Sequence, residues 1–488
     1  MPLWLSELMP ILLLLAAVGI VYWRLPRIDL GHSDAFLKRR VTNWLPLGMT
    51  YAFLYFGRYN LTAVMNAKII TGEQFGLIFG AGAAVYGVSF VVNGPLCDRL
   101  GGRKTILIAA FGAGICNALM GLGFILGWTS SDHVVLIYSL LYGGNMYFQS
   151  FGAVSIVKVN SAWFHINERG VFAGIFGILI SLGIYFAFDW GHQILAEFSH
   201  AYYPLTVKGP VTVIDGGQWV WFIPAALLLT FFIIDLFVVR DKPSDAGQQD
   251  FETDDATSGD DSPRLPARVV FKKMLTNPVI VTIALIEFCS GFLRNAIMHW
   301  YRDFAKGVSL TDQFIYENWG MLLCVAGIMG GVFAGVVSDR LFNSRRGPVA
   351  ALLYGLMLIG AVVMIPLMSM GHTGLVAIGL CVVFMSMAII GVHGMLSGTA
   401  SQDFGGTKNA GIAVGLIDGF VYIGTMFQSV LLGFLLPEKG KPEAADIANW
   451  KVWPYLMVPV AVVGLLLALR VWNAKPKPKK RAAEAASE

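Results

Sequence analysis

Charge is what this chain has least of. Asp, Glu, Lys and Arg make up 14% of its 488 residues, against 56% hydrophobic. Soluble domains carry roughly a quarter charged residues, so the composition argues against a soluble enzyme or binding protein. Neither sign dominates, with 35 basic residues against 31 acidic ones, and no nucleic-acid partner is expected. Cysteine is scarcer still. Cys97, Cys116, Cys289, Cys324 and Cys381 stand singly, with no pair at metal or redox spacing. A disulfide scaffold is disfavoured, and the thiols read as small core fillers. The chain also lacks a nucleophile constellation, a phosphate-binding glycine loop and a metal-ligand cluster. It is therefore not expected to be an enzyme, and no cofactor or metal is expected.

What it has instead is length in apolar runs, and glycine. Its 55 glycines exceed the usual share of roughly 7%, as packed membrane helices favour small residues. Runs of about 20 apolar residues, long enough to cross a bilayer, fall near 4–23, 42–66, 74–96, 105–127, 133–157, 171–190 and 218–239. Six more follow near 278–299, 318–337, 349–369, 374–397, 411–436 and 452–471. The expected fold class is an all-α polytopic membrane protein. It would comprise an extra N-terminal transmembrane helix (1–27), a six-helix half (42–239) and a linker (240–276). A second six-helix half (277–471) and a basic tail (472–488) complete it.

Lys and Arg in the loops set the orientation. With the 24–41 segment inside and strict alternation from there, the inner side collects Arg24, Arg27, Lys38, Arg39, Arg40, Arg99, Arg103, Lys104, the linker cations and the tail. The outer side keeps only Lys68, Lys208, Arg302, Lys306, Lys439, Lys441 and Lys451. The linker and C-terminus are thus expected in the cytoplasm and the N-terminus in the periplasm. The first span has no basic residue before it, and reads as a retained helix rather than a signal peptide. The linker, with Asp250, Glu252, Asp254, Asp255, Asp260 and Asp261, is expected to be disordered. The tail Lys475–Glu488 is a solvated end able to touch anionic lipid.

The chain repeats itself. Gly94-Pro-Leu-Cys-Asp98-Arg99 recurs as Gly335-Val-Val-Ser-Asp339-Arg340 at the inner end of each half's second span. At the same offset, Asn167-Glu168-Arg169-Gly170 aligns with Lys408-Asn-Ala-Gly411. Two six-helix halves in the same orientation are the pattern of major facilitator transporters. Asp98, Arg99, Glu168, Arg169, Asp339 and Arg340 are the candidate gate: a carboxylate here can pair with a basic side chain and a helix N-terminus.

An ionised side chain inside a span costs at least about 2.5–3.5 kcal/mol on insertion scales and is a functional hypothesis by default. Arg58, Glu287, Arg294 and Asp418 are such residues. Tyr51, Tyr55, Arg58 and Thr62 form one stripe of a helix, Glu287, Ser290, Arg294 and Met298 another, and Asp418, Tyr422 and Thr425 a third. Arg58 and Arg294 occupy roughly equivalent positions in the repeat. Two arginines facing one cavity would select an anion, since the guanidinium fork suits phosphate or carboxylate. Alternatively, each arginine is a structural partner of Glu287 or Asp418. Those two carboxylates are read either as proton-coupling groups or as packing partners, and His299 and His393 as satisfied polar groups rather than ligands.

At these residues the sequence resembles a known family. Tyr51-Ala-Phe-Leu-Tyr55-Phe-Gly-Arg58-Tyr-Asn60 is similar to the first-helix motif of the organophosphate:phosphate antiporters, which include glycerol-3-phosphate and hexose-phosphate transporters. Phe292-Leu-Arg294-Asn-Ala-Ile-Met-His-Trp300, Phe148-Gln149, Trp163-Phe164, Glu168-Arg169-Gly170, Ile390-Gly-Val-His393 and the stretch from Gly415 to Gly424 also match. The resemblance covers about 40–470. It implies a substrate site of Arg58, Arg294, Tyr51, Tyr55 and Tyr422, to which we add Gln149 and His393, with Glu287 and Asp418 coupling or pairing charge. It implies exchange of a phosphorylated metabolite for inorganic phosphate in a bacterial inner membrane, by a protein expected to be monomeric. Phe90 stands where glycerol-3-phosphate carriers have a lysine, and Ile180 and Ala153 where they have a histidine and a tryptophan. The loop between His393 and Gly411 is also longer than in those carriers. Proton-coupled anion symport and sensing of a sugar phosphate are the alternative functions.

Overall fold

A computed structural model describes residues 32–67, 69–165, 178–198, 216–251, 266–342, 345–437 and 441–474. The expected extra helix at 4–23, Glu168, Arg169 and the basic tail lie outside these residues. Among the described residues all regular structure is helical. In chain order the long helices are α1 (Asp34–Asn66), α2 (Gly72–Leu100), α3 (Gly102–Ile125), α4 (Val134–Trp163), α5 (Ile178–Phe198) and α6 (Trp219–Val238). After the short α7 (Ala267–Leu275) come α8 (Pro278–Gly307), α9 (Trp319–Leu341), α10 (Arg346–Leu367), α11 (Gly371–His393), α12 (Ser401–Leu435) and α13 (Val452–Arg470). Among the described residues nine helices are long and apolar enough to cross a bilayer. Local chemistry starts several of them. Ser33 caps α1, Thr71 and Gln74 form a reciprocal capping box on α2, and Asn277 precedes Pro278 at the first position of α8.

Several helices outrun the apolar windows. α4 continues to Trp163 and α8 to Gly307; thirty residues of helix span about 45 Å, half as long again as the hydrocarbon core. Residues 394–410, expected as a loop, are helical: a wide π-type turn Gly394–Ala400 leads directly into α12. The stretch holds no proline to stop a helix.

The linker also departs from expectation. Asn43 and Arg240 exchange side-chain and backbone hydrogen bonds at 3.2 and 2.7 Å, Trp163 Nε1 donates to the Arg240 carbonyl at 3.1 Å, and Phe251 packs on Phe36. Farther on, Val270 and Met274, four residues apart on α7, bury against Ile280, Ile412, Ala413 and Leu416. Apolar residues at helical spacing thus tie both ends of the linker to one end of the bundle. Only its acidic centre, 252–265, lies outside the described residues. The same end holds Arg39 on the Val238 carbonyl, Arg103 on that of Leu236, and Asp241 on the Arg103 amide at the start of α3. We call it the basic end.

The helices before and after the linker meet along α2 and α12. A Cβ on Gly76 would lie 2.6 Å from the Ser429 carbonyl oxygen and 2.9 Å from Gly433 Cα; near the basic end, one on Gly94 would meet the Gly411 carbonyl. The backbones therefore touch at both ends of the seam, as small residues permit in membrane bundles. Gly76→Val is expected to force these helices apart, destabilising the protein by about 1–3 kcal/mol, the usual range for overpacking. Thermal unfolding in detergent should show a lowered Tm, whereas Gly355→Ala, whose Cβ meets nothing within 4 Å, should leave Tm in place.

Candidate functional site

Midway along α1, Arg58 is fully buried. Its Nε donates to Gln149 Oε1 at 2.8 Å, Nη1 to the Tyr422 hydroxyl at 2.5 Å and Nη2 to the Tyr86 hydroxyl at 2.6 Å. The guanidinium also lies 4.5 Å from the ring centres of both Tyr55 and Tyr86. Every one of these partners is neutral. Among the described residues no carboxylate contacts Arg58, and the alternative of a structural ion pair with Glu287 or Asp418 is not what holds it.

A polar chain behind the arginine sets its position. Gln149 Nε2 donates to Asn145 Oδ1, and Asn145 and Asn117 both donate to the Gly57 carbonyl. Asn60 donates to Asn117 Oδ1, and Tyr142 donates to the carbonyl of Arg58 itself. Helices α1, α3 and α4 thus share one network, and α2 and α12 complete the cage through Tyr86 and Tyr422. Buried networks of this kind hold a side chain rigidly, although Asn60 Oδ1 has no hydrogen-bond partner among the described residues.

Arg294, on α8, is 5% exposed and has neither a hydrogen bond nor an ion pair with any described residue. Its guanidinium sits 5.9 Å from the ring of Tyr422, so one tyrosine touches both arginines. Glu287, which shares Arg294's face of α8, pairs with His393 Nδ1 at 2.9 Å. Asp418 accepts from Ser397 Oγ. The structure thus brings Arg58, Tyr55, Gln149, Tyr422 and Arg294 into one buried cluster, with Glu287, His393 and Asp418 forming an acidic group beyond Arg294. Tyr51 joins through an edge contact with Tyr55, their ring centres 5.2 Å apart. Phe90, at the position where a lysine was expected by analogy, packs against Tyr86 and Tyr422.

The candidate gate is only partly described. Asp98 pairs with Lys158 at 2.8 Å, and a Cβ on Gly411 would lie 2.8 Å from its Oδ2. Asp98 therefore stands where α2, α4 and α12 converge at the basic end. Arg99 is exposed. The side chains of Asp339 and Arg340 lie outside the described set.

Sequence reasoning missed several members. Tyr86 donates nothing to the charge pattern, but Tyr86, Ser89 and Asn93 mark a polar stripe on α2 that would have found it. Arg302 was placed in an outer loop; it is 2% exposed, because α8 continues past the apolar window. It pairs with Asp189 at 2.9 Å and also donates to the Phe188 and Tyr316 carbonyls. Asp189 sits on a π-type turn of α5, Phe186–Trp190, and accepts from the amides of Gly320 and Met321 at the start of α9. His299, on the same side, meets Thr62 Oγ1 and lies among Tyr59, Phe75, Phe79 and Phe188. These contacts join helices before and after the linker at the end opposite the basic one.

Comparison with known proteins agrees with this architecture. Residues 47–428 match the Major Facilitator Superfamily. The chain is 25% identical to the glycerol-3-phosphate transporter of Bacillus subtilis (strain 168), over 92% of this chain and 96% of that protein. It is 23% identical to a probable hexose phosphate transport protein of Chlamydia pneumoniae, over 90% and 92%. It is 24% identical to the membrane sensor protein UhpC of Salmonella typhimurium, over 89% and 91%. A solved bacterial homolog of the human lysosomal transporter Spinster, inward-facing and unoccupied, aligns with a TM-score of 0.63 at 14% identity, covering 90% of this chain and 97% of that one. At that identity the likeness concerns the fold alone.

A carboxylate at position 149 would hold Arg58 permanently. Gln149→Glu would pair with Arg58 but lose the hydrogen bond that Gln149 Nε2 donates to Asn145 Oδ1, so Tm of the ligand-free protein is expected to stay near that of the unaltered protein. The substitution should weaken binding of small dianions such as inorganic phosphate by about 10–100-fold, the value of one charge-assisted hydrogen bond. Thermal-shift titration of this variant beside the unaltered protein checks both effects.

Proposed function

The chain belongs to the Major Facilitator Superfamily, an integral membrane transport protein, and we propose that it exchanges a small organic phosphate for inorganic phosphate by alternating access across a bacterial inner membrane. The observation that carries this reading is Arg58: a fully buried cation held by three neutral oxygens and two ring faces, with Arg294 beyond the shared Tyr422. A group paired for structure alone would face a carboxylate. A cation held by dipoles and π faces keeps its charge available for an incoming anion.

The arrangement yields a mechanism. Without anion, two positive charges sit in a low-dielectric core and oppose closure of the halves upon them. A phosphate dianion accepts hydrogen bonds from both guanidinium groups and from the tyrosine hydroxyls, and neutralises the pair. Its contacts improve as the halves close, so binding lowers the barrier between the two faces. Reorientation is then slow when the site is empty, and such coupling produces exchange rather than net flow. Opening the end opposite the basic one requires breaking the Asp189–Arg302 pair and the Thr62–His299 contact. That end faces the periplasm if the loop charges orient the protein as expected.

Proton-coupled anion symport is the second reading, favoured by Glu287, whose Oε1 is buried with no hydrogen-bond partner among the described residues. Liposomes containing the purified protein and loaded with phosphate separate the two. Exchange predicts rapid uptake of labelled phosphate that depends on internal phosphate and falls by at least about 100-fold in Arg58→Ala, as expected on loss of a charge-assisted contact that only a closed site completes. Uptake that ignores internal phosphate and follows a pH gradient would establish symport instead. Binding without transport would mark a sensor.

A further inference from the structure

Among the described residues the cluster holds two carboxylates beside its two arginines, and an anion engages only the arginines. Arg58 and Arg294 both approach Tyr422. Near Arg294, Glu287 of α8 meets His393 at the end of α11, and Asp418 of α12 meets Ser397, four residues on from His393, to give an acceptor cluster. Asp418 is within electrostatic reach of His393, Glu287 and Arg294. Phosphate seated on the arginines leaves Glu287 and Asp418 without a cationic partner, and a substrate cation beside them would add to its binding.

The cluster offers acceptor atoms of a particular number. Glu287 Oε1 is buried without a hydrogen-bond partner among the described residues. Ser397 takes one oxygen of Asp418, and no described donor meets the other. With Nδ1 directed at Glu287 Oε2, His393 as Nδ1–H keeps Nε2 as an acceptor, and its side chain remains 13% exposed. Three acceptors of this kind match the three N–H donors of a primary ammonium, which itself accepts nothing. A quaternary ammonium would call for ring faces instead, and the tyrosine rings of this site are gathered around Arg58. Glu287 and Arg294 stand two helical turns apart on one face of α8, about 10 Å along its axis, which separates a cationic from an anionic subsite.

We propose that the substrate of this site is a phosphate ester that also carries a primary ammonium group, its phosphate on Arg58 and Arg294 and its ammonium on Glu287, His393 and Asp418. This rests on the phosphate reading above and names the class of ester within it.

Matched pairs of competitors test it on the full-length protein in liposomes: aminoethyl phosphate against propyl phosphate, and aminopentyl phosphate against hexyl phosphate. Each pair differs by exchange of an ammonium for a methyl group. In at least one pair the amine should displace labelled phosphate at about tenfold lower concentration or better, since a site with buried acceptors rejects the analogue that cannot donate. Glu287→Gln and Asp418→Asn should each bring that ratio back towards one. If the alkyl phosphates compete as well as the amines in the unaltered protein, or if the preference survives both substitutions, the ammonium assignment is wrong while the phosphate reading stands. If labelled phosphate exchanges but no member of either pair displaces it, the ammonium assignment is wrong; if the protein exchanges no labelled phosphate and none of the four esters shifts Tm, the phosphate reading falls and this inference with it.

Discussion

A positive charge placed where water cannot reach organises this protein. Arg58 satisfies its guanidinium with oxygens from Gln149, Tyr86 and Tyr422, which belong to three different helices and to both halves. An isolated buried charge is expensive, so each partner must be held at hydrogen-bond distance, and each brings its helix with it. The chain of amides behind Gln149 exists for the same reason. Remove it, and the arginine loses its fixed position. The rest of the first half can be understood as the scaffold that keeps this charge dry and neutral-partnered.

The contacts between halves divide into two kinds. The glycine seam of α2 and α12 is apolar and close, with backbone against backbone. It has little directional preference. The Asp189–Arg302 pair is the opposite: directional, charged, and reinforced by two amides at the start of α9. The alternating access proposed above would use both, a low-friction line of contact and a discrete latch that is either made or broken. The central Tyr422 lies between them, with its hydroxyl on one arginine and its ring near the other, so movement of α12 is felt by both charges.

Much of the fold was legible in the chain. Runs of about twenty apolar residues located every helix that the structure describes at those positions, and the recurring Gly-to-Asp-Arg segment pointed to two similar halves. The stripes of α1, α8 and α12 were legible too, because a helix puts every third or fourth residue on one face. Helix ends were not. α8 carries Arg302 inward, and α12 begins at Ser401, because protein packing rather than lipid stops these helices. The linker was read from its acidic centre, which hid the short apolar spacings that dock Phe251, Val270 and Met274.

Composition, hydrophobic period and the placement of single charges are local properties, and these the sequence determined by itself: a helical membrane protein, its repeat, and the arginines and carboxylates worth attention. Which charge meets which partner was decided only in three dimensions. Glu287 sits two turns from Arg294 on the same face, yet bonds to His393, 106 residues away. Arg58 meets neither carboxylate and instead rests on Gln149 and on tyrosines from α2 and α12. Pairing energies depend on distances of a few ångströms between helices remote in the chain, and only packing sets those distances.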